Sequence, residues 1–164
     1  MEKILFTVLL SFGFSDALNV QLLSFLPYEE DTADITGFAQ DGREFAVMGL
    51  NNGATFIDVT DPFNPFEVGY ISGSNSIWRD LKYWNEHVYI GTEADDGIKV
   101  VNVSNLDNPT LVNTIMDVDN SHNIHIDADG FLYIVGADTY DIWIYDLSTP
   151  AQPELVGMVW RIPS

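Results

Sequence analysis

Cysteine is absent from the 164 residues, which excludes disulfides and thiolate metal sites. Basic side chains are nearly absent: six Lys and Arg stand against 25 Asp and Glu, for a net charge of −19. Phosphate backbones are bound by clustered Lys and Arg, and the six here are scattered, so no nucleic-acid partner is expected. No run of about 18 or more apolar residues occurs, so no transmembrane segment is expected. Sustained helical periodicity is missing. So are a Gly-x-Ser-x-Gly elbow, a Walker-type loop and a zincin motif. Asp127-Ala128-Asp129-Gly130 has the opening of a calcium loop without its remaining ligands, and it reads as a hairpin turn. The acidity itself reads as solubility charge, with attraction of a divalent or cationic ligand as the sharper alternative.

What is present is a repeat. Phe56 to Gly69 reads FIDVTDPFNPFEVG, Val100 to Asn113 reads VVNVSNLDNPTLVN, and Ile144 to Gly157 reads IYDLSTPAQPELVG. Asp58, Asn102 and Asp146 are 44 residues apart, as are Thr60, Ser104 and Ser148, then Pro65, Pro109 and Pro153. A fixed period of this size marks a repeat architecture.

Turn chemistry divides each repeat into four short strands. In the first, Asp34–Phe38, Glu44–Leu50, Thr55–Val59 and Phe66–Ile71 are separated by Asp41-Gly42, Asn51-Asn52-Gly53 and a Pro-rich turn. Asp-Gly and Asn-Gly between β-rich runs are strong hairpin signals. The second repeat divides into Asp80–Trp84, His87–Thr92, Ile98–Val103 and Thr110–Ile115, and the third into Asn123–Asp127, Phe131–Gly136, Ile142–Leu147 and Glu154–Trp160. The prolines fall in the turn before the outermost strand, where a missing N–H is tolerated. Asp58 and Thr60 are expected to bond their own turn backbone. Four antiparallel strands every ~40–50 residues describe a β-propeller blade. The expected fold is therefore all-β, a partial, open propeller of about three blades, at about 34–71, 79–115 and 123–160.

Residues 1–17 read as a secretory signal peptide. Lys3 supplies the n-region, Ile4–Phe14 the apolar run, and Ser15 and Ala17 the small residues before a cut at Leu18. The expected location is secreted, at the cell surface or otherwise extracytoplasmic, the periplasm included. Residues 18–27 align with the end of a repeat, Asn19–Phe25 on Pro65–Ile71. They read as a fourth strand whose three partners are missing. Three blades cannot close a ring that typically needs about four to eight. The open blade faces are thus expected to self-associate or to leave the array poorly stable.

The motif FIDVTDPFNP with its copies resembles the LVIVD repeat. The longer stretches GREFAVMGLNNGATFIDVTDPFNPFEVGYISG, SIWRDLKYWNEHVYIGTEADDGIKVVNVSN and SHNIHIDADGFLYIVGA are similar to the choice-of-anchor B family, from about Leu18 to Trp160. That resemblance implies a secreted bacterial β-propeller, often held at the surface by a variable C-terminal anchor. It brings no established activity. It also implies that this chain is a fragment of a longer choice-of-anchor B protein.

Aligned first strands put Asp34, Asp80 and Asn123 in equivalent places, with Arg79 and His122 immediately before two of them. Innermost propeller strands line the central channel, so these five form the candidate ligand site. Asp34, Asp80 and His122 offer oxygen and imidazole ligands suited to Ca²⁺ or another divalent metal. The bland alternative is that the set bonds blade to blade. His125 reads as a satisfied, partly buried histidine, and His87 as a turn residue. The leading functional reading is a non-catalytic binding or scaffold module whose partner is an extracellular protein, a glycan or a small ligand. The alternative is a metal-assisted hydrolase or lyase at the channel mouth, and a third reading is a truncated product without independent function.

Overall fold

The computed structural model describes residues 20–137 and 141–160. The signal sequence read at residues 1–17 lies outside them. The described residues contain no helix. Their twelve strands are β1 (Thr32–Gln40), β2 (Arg43–Leu50), β3 (Gly53–Asp58), β4 (Phe66–Ser72), β5 (Arg79–Trp84), β6 (His87–Thr92), β7 (Ile98–Asn102), β8 (Thr110–Ile115), β9 (Asn123–Ile126), β10 (Phe131–Val135), β11 (Ile142–Asp146) and β12 (Glu154–Val159). They form three four-stranded sheets in the orders β1-β2-β3-β4, β5-β6-β7-β8 and β9-β10-β11-β12, every pair antiparallel. The architecture is a partial, open β-propeller of three blades, and each strand lies within two residues of its span as read from the turns.

The turns show why. Asp41 and Gly42 take φ of 52° and 76°, and Asn85 and Glu86 take 44° and 59°. Positive φ at both central residues twists a two-residue hairpin the way its strands twist. The turn before each fourth strand is built alike in every blade. Asp58 Oδ1 accepts from Thr60 N at 2.8 Å, Asn102 Oδ1 from Ser104 N at 3.0 Å, and Asp146 Oδ1 from Ser148 N at 2.6 Å. These side chains hold turns, as their residue types dictate. Directly after Phe56, Val100 and Ile144 the pairing with the fourth strand shifts register, so one bulge recurs at the same place in each blade.

The core lies between blades. Val47, Ala54 and Phe56 of the first blade bury against Leu81, Val88, Ile90 and Val101 of the second. Tyr89, Ile98, Val100 and Ile115 of the second bury against Ile124, Leu132, Ile134, Trp143 and Tyr145 of the third. Successive strand residues point to opposite faces, so each blade has a forward face toward the next and a rear face toward the one before. Each buried Val, Leu or Ile here contributes about 1.5–3 kcal/mol.

Residues 20–28 form no strand, which corrects the reading of Asn19–Phe25 as one over its described part. The segment instead crosses the rear of the first blade. Ser24 Oγ donates to the Pro62 carbonyl at 2.7 Å, and Tyr28 Oη lies 3.1 Å from both Thr55 Oγ1 and Glu67 Oε2. Thr55 and Ile57 face away from the second blade, yet they are 0% and 6% exposed. Pro62 sits 88 residues before Pro150, whose carbonyl accepts from Tyr89 Oη at 2.8 Å across the blade junction. Ser24 therefore supplies on the first blade the donor that a preceding blade supplies to the third.

Candidate functional site

The first strand of each blade is its innermost, and β5 lies against both β1 and β9. Where the three meet, a cavity of about 580 Å³ opens, lined by Thr32, Ala33, Asp34, Ile77, Trp78, Arg79, Asp80, Lys82, Asn123 and Ile124. Four of the five residues singled out from sequence, Asp34, Arg79, Asp80 and Asn123, stand on its wall. His122 does not.

The aspartates join blades. Asp80 Oδ2 accepts from Ile124 N at 2.7 Å, and Asp34 Oδ2 faces Leu81 N at 3.4 Å. Each carboxylate thus reaches the backbone N–H of the same position in the next blade. Asn123 occupies the equivalent place in the third blade and is exposed. Lys82, on the same face as Asp80 two residues along, stands between the carboxylates. Its Nζ bonds Asp80 Oδ1 and lies 3.7 Å from Asp34 Oδ2.

Burial pushes the Asp80 carboxyl above the ordinary aspartate range, against the pull of Lys82 and the Ile124 N–H. Burial also acts to raise Asp34. There, however, the hydrogen bond shared with Asp80 and the Ile35 and Leu81 N–H groups outweigh it and leave Asp34 below its usual value. Two hydrogen-bonded carboxylates cannot both ionise freely. Asp80, the buried one, is the member of the pair whose carboxyl is held up.

Arg79 turns its guanidinium away from the cavity. Nε donates to the Leu50 carbonyl at 2.7 Å, and Nη2 donates to the carbonyls of Asn51 at 3.0 Å and of Ser74. It is a clasp between blades, buried throughout its length, and burial lowers its pKa. A Cβ on Gly73 would stand 3.1 Å from the guanidinium, so a glycine there admits it. Arg79, a candidate ligand residue from sequence, thus lines the cavity while its guanidinium is committed to the blade junction.

His122 points elsewhere. Its Nδ1 donates to Glu93 Oε1 at 2.6 Å, and its ring stacks on Trp78 at 4.6 Å and 12°. Asp34, Asp80 and His122 therefore do not converge on one point. Among the described residues no group of three or more His, Asp or Glu side chains could hold a metal ion. Lys82 supplies the positive charge that the paired aspartates call for. Of the other histidines, His87 sits at its turn as read, and His125 is not the partly buried residue expected. His87 is buried, its Nδ1 donating to the Asn85 carbonyl at 2.8 Å and its Nε2 accepting from Asn102 Nδ2 at 3.1 Å. His125 is exposed on the third blade, 6.4 Å from the Tyr133 ring.

Sequence reasoning missed Lys82, Ile77 and Trp78. Lys82 had a signal, since residues two apart on a strand share a face. Trp78 adjoins Arg79 but lies before β5, where strand periodicity assigns it no direction. Its Nε1 donates to the His122 carbonyl at 2.6 Å, which holds the indole at the rim.

The second blade carries the recognisable unit. Residues 79–117 match the LVIVD repeat. The matched span runs from β5 through β8 and includes Arg79, Asp80 and Lys82, so the LVIVD repeat carries part of the cavity wall. The sequence period extends the same unit to the blades on either side. No curated protein matches the chain.

Proposed function

We propose that the chain is a non-catalytic binding module, exported as part of a choice-of-anchor B type surface protein, and that its ligand enters the cavity between the first strands. The observation that carries this reading is the convergence of three blades' inner strands on one cavity of about 580 Å³ with a mixed polar and apolar wall. That size and lining are those of small-molecule sites, which run to ~300–1,000 Å³. The polar groups deepest in the wall already serve the fold, since Asp80 and Arg79 hold neighbouring blades together. Binding at such a wall leaves the junctions intact. The rival, a metal-assisted hydrolase or lyase, has no observation in its favour, because Lys82 stands between the two carboxylates it would use.

Export rests on the apolar run and small residues before Leu18, and exported protein is expected to begin there. The same reading includes self-association, a second copy covering the forward face of the third blade as the blades cover one another. NMR titration of the full chain with a mixed small-molecule library tests the site. Binders should perturb residues 32–34, 77–82 and 123–124 together. Binders that all map elsewhere, or turnover in a metal-supplemented hydrolase and lyase screen that Asp34→Ala abolishes, would refute the reading.

A further inference from the structure

The cavity lining is of two unlike kinds, and their chemistry narrows what fits. One kind is apolar and exposed: Ile77 is 74% and Trp78 41% accessible. The Trp78 ring is not free to turn aside. Its Nε1 is tied to the His122 carbonyl and one face is stacked on the His122 ring, which Glu93 holds in turn. A ligand therefore meets a rigid indole whose ordering was completed on folding, which lowers the entropic cost of binding.

The other lining side chains are mostly polar but not an ion trap. The carboxylates of Asp34 and Asp80 are balanced by Lys82 between them, while the Arg79 guanidinium is spent on backbone carbonyls of the junction. A cationic ligand would have to displace Lys82. An anionic ligand would enter a molecule of net charge −19 with no uncommitted cation in the cavity to receive it. What remains on offer is hydrogen bonding: Asp34 accepts, Lys82 donates, and the Asn123 amide and Thr32 hydroxyl do both.

From this pairing we propose that the cavity binds a neutral saccharide, resting on the reading of the cavity as a binding site. The C–H face of a sugar ring lies on Trp78 and Ile77. Its hydroxyls bond Asp34, Lys82 and Asn123. A sugar presents an apolar face and a hydroxyl edge together without net charge.

The test uses the full exported chain and isothermal titration. The probes are the neutral tetrasaccharides cellotetraose, mannotetraose and N-acetylchitotetraose, with tetragalacturonate, spermidine and trialanine as the charged and peptide comparisons. At least one neutral tetrasaccharide should bind saturably and quench tryptophan fluorescence. Trp78→Ala should weaken it by about tenfold or more, the scale of losing an aromatic anchor. Because that variant also removes the bond to His122, Ile77→Ser supplies a second change at an exposed position. Phe63→Ser, on an exposed turn outside the cavity, should leave affinity unchanged. Binding of spermidine, tetragalacturonate or trialanine at the cavity without any saccharide would overturn the sugar assignment while leaving the binding-site reading standing. Silence of all six probes would overturn the assignment too, and the library titration would then decide the broader reading. Saccharide binding undiminished in both variants would place the sugar elsewhere and likewise overturn the proposal.

Discussion

Asp80 and Asn123 hold the same position in consecutive blades, and comparing them isolates what a neighbouring blade does for a side chain. Asp80 is buried, accepts from Ile124 N and pairs with Lys82. Asn123 is exposed, and among the described residues no following blade donates to it. Removing a partner from a buried donor costs its desolvation, and a bond to a charged group is worth roughly 1.5–3 kcal/mol. Asp80→Ala should therefore destabilise by about 2–3 kcal/mol, because the buried Ile124 N is left unpaired and Lys82 keeps only Asp34 and the Leu81 carbonyl. Asn123→Ala should stay within about 0.5 kcal/mol. Urea denaturation of the two variants checks this, and equal costs would mean that the inter-blade bond contributes nothing. Both residues were legible from the repeat alignment, but which of them was a staple was not, because the donor belongs to another blade.

Among elements, two close approaches between blades fall at glycines. Gly91 of β6 lies under Ser121, the residue leading into the third blade, and an added Cβ would stand 2.5 Å from Ser121 Oγ. Gly69 of β4 faces Pro109 of the second blade's turn, with an added Cβ at 2.8 Å. Neither glycine has the positive φ that would explain it as a turn residue, so each is required by sheet-to-sheet spacing. The prediction is that Gly91→Ala costs about 1–3 kcal/mol through overpacking. Gly42→Ala, where nothing lies within 4 Å but φ is +76°, costs through backbone strain instead. The two mechanisms separate in a double mutant with Ser121→Ala. Relief of the Gly91→Ala penalty is expected, with none for Gly42→Ala. No relief at either site would argue against the close approach.

At the scale of the whole molecule, the two ends of the array differ. The rear of the first blade is crossed by residues 20–28, with Ser24 and Tyr28 bonded to it. The forward face of the third blade carries Tyr133, Ile142, Ile144 and Val159, at the positions of Tyr89, Ile98, Val100 and Ile115 in the second. The latter four are buried in the junction, whereas the former are exposed or half-buried. An apolar face of this kind promotes association, and the charge of −19 opposes it through repulsion that salt screens. Sedimentation velocity of the full chain should show a larger associated fraction at about 1 M salt than at about 0.05 M. Ile144→Lys should reduce it at both. A monomer at every salt concentration would rule out self-association through this face.

The 44-residue period, the four strands per blade and the turn-holding roles of Asp58, Asn102 and Asp146 follow from local sequence. Hairpin turns, Asx bonds and alternating apolar residues each involve neighbours within a few positions, so their outcome is written in the order of residues. Grouping Asp34, Asp80 and Asn123 needed one further step, that equivalent strands stack about a common axis. The character of the site was settled instead by contacts across 40 or more residues. Asp80 reaches Ile124 N across 44 positions and Trp78 reaches the His122 carbonyl across 44. Arg79 was grouped with the candidate ligand residues, and the Leu50 and Asn51 carbonyls of the neighbouring blade hold its guanidinium. The described part of the segment read as a strand became a cover over the Thr55 and Ile57 face of the first blade. Such choices depend on how far apart the blades sit, and that distance is set by side-chain packing between sheets rather than by any local run of residues.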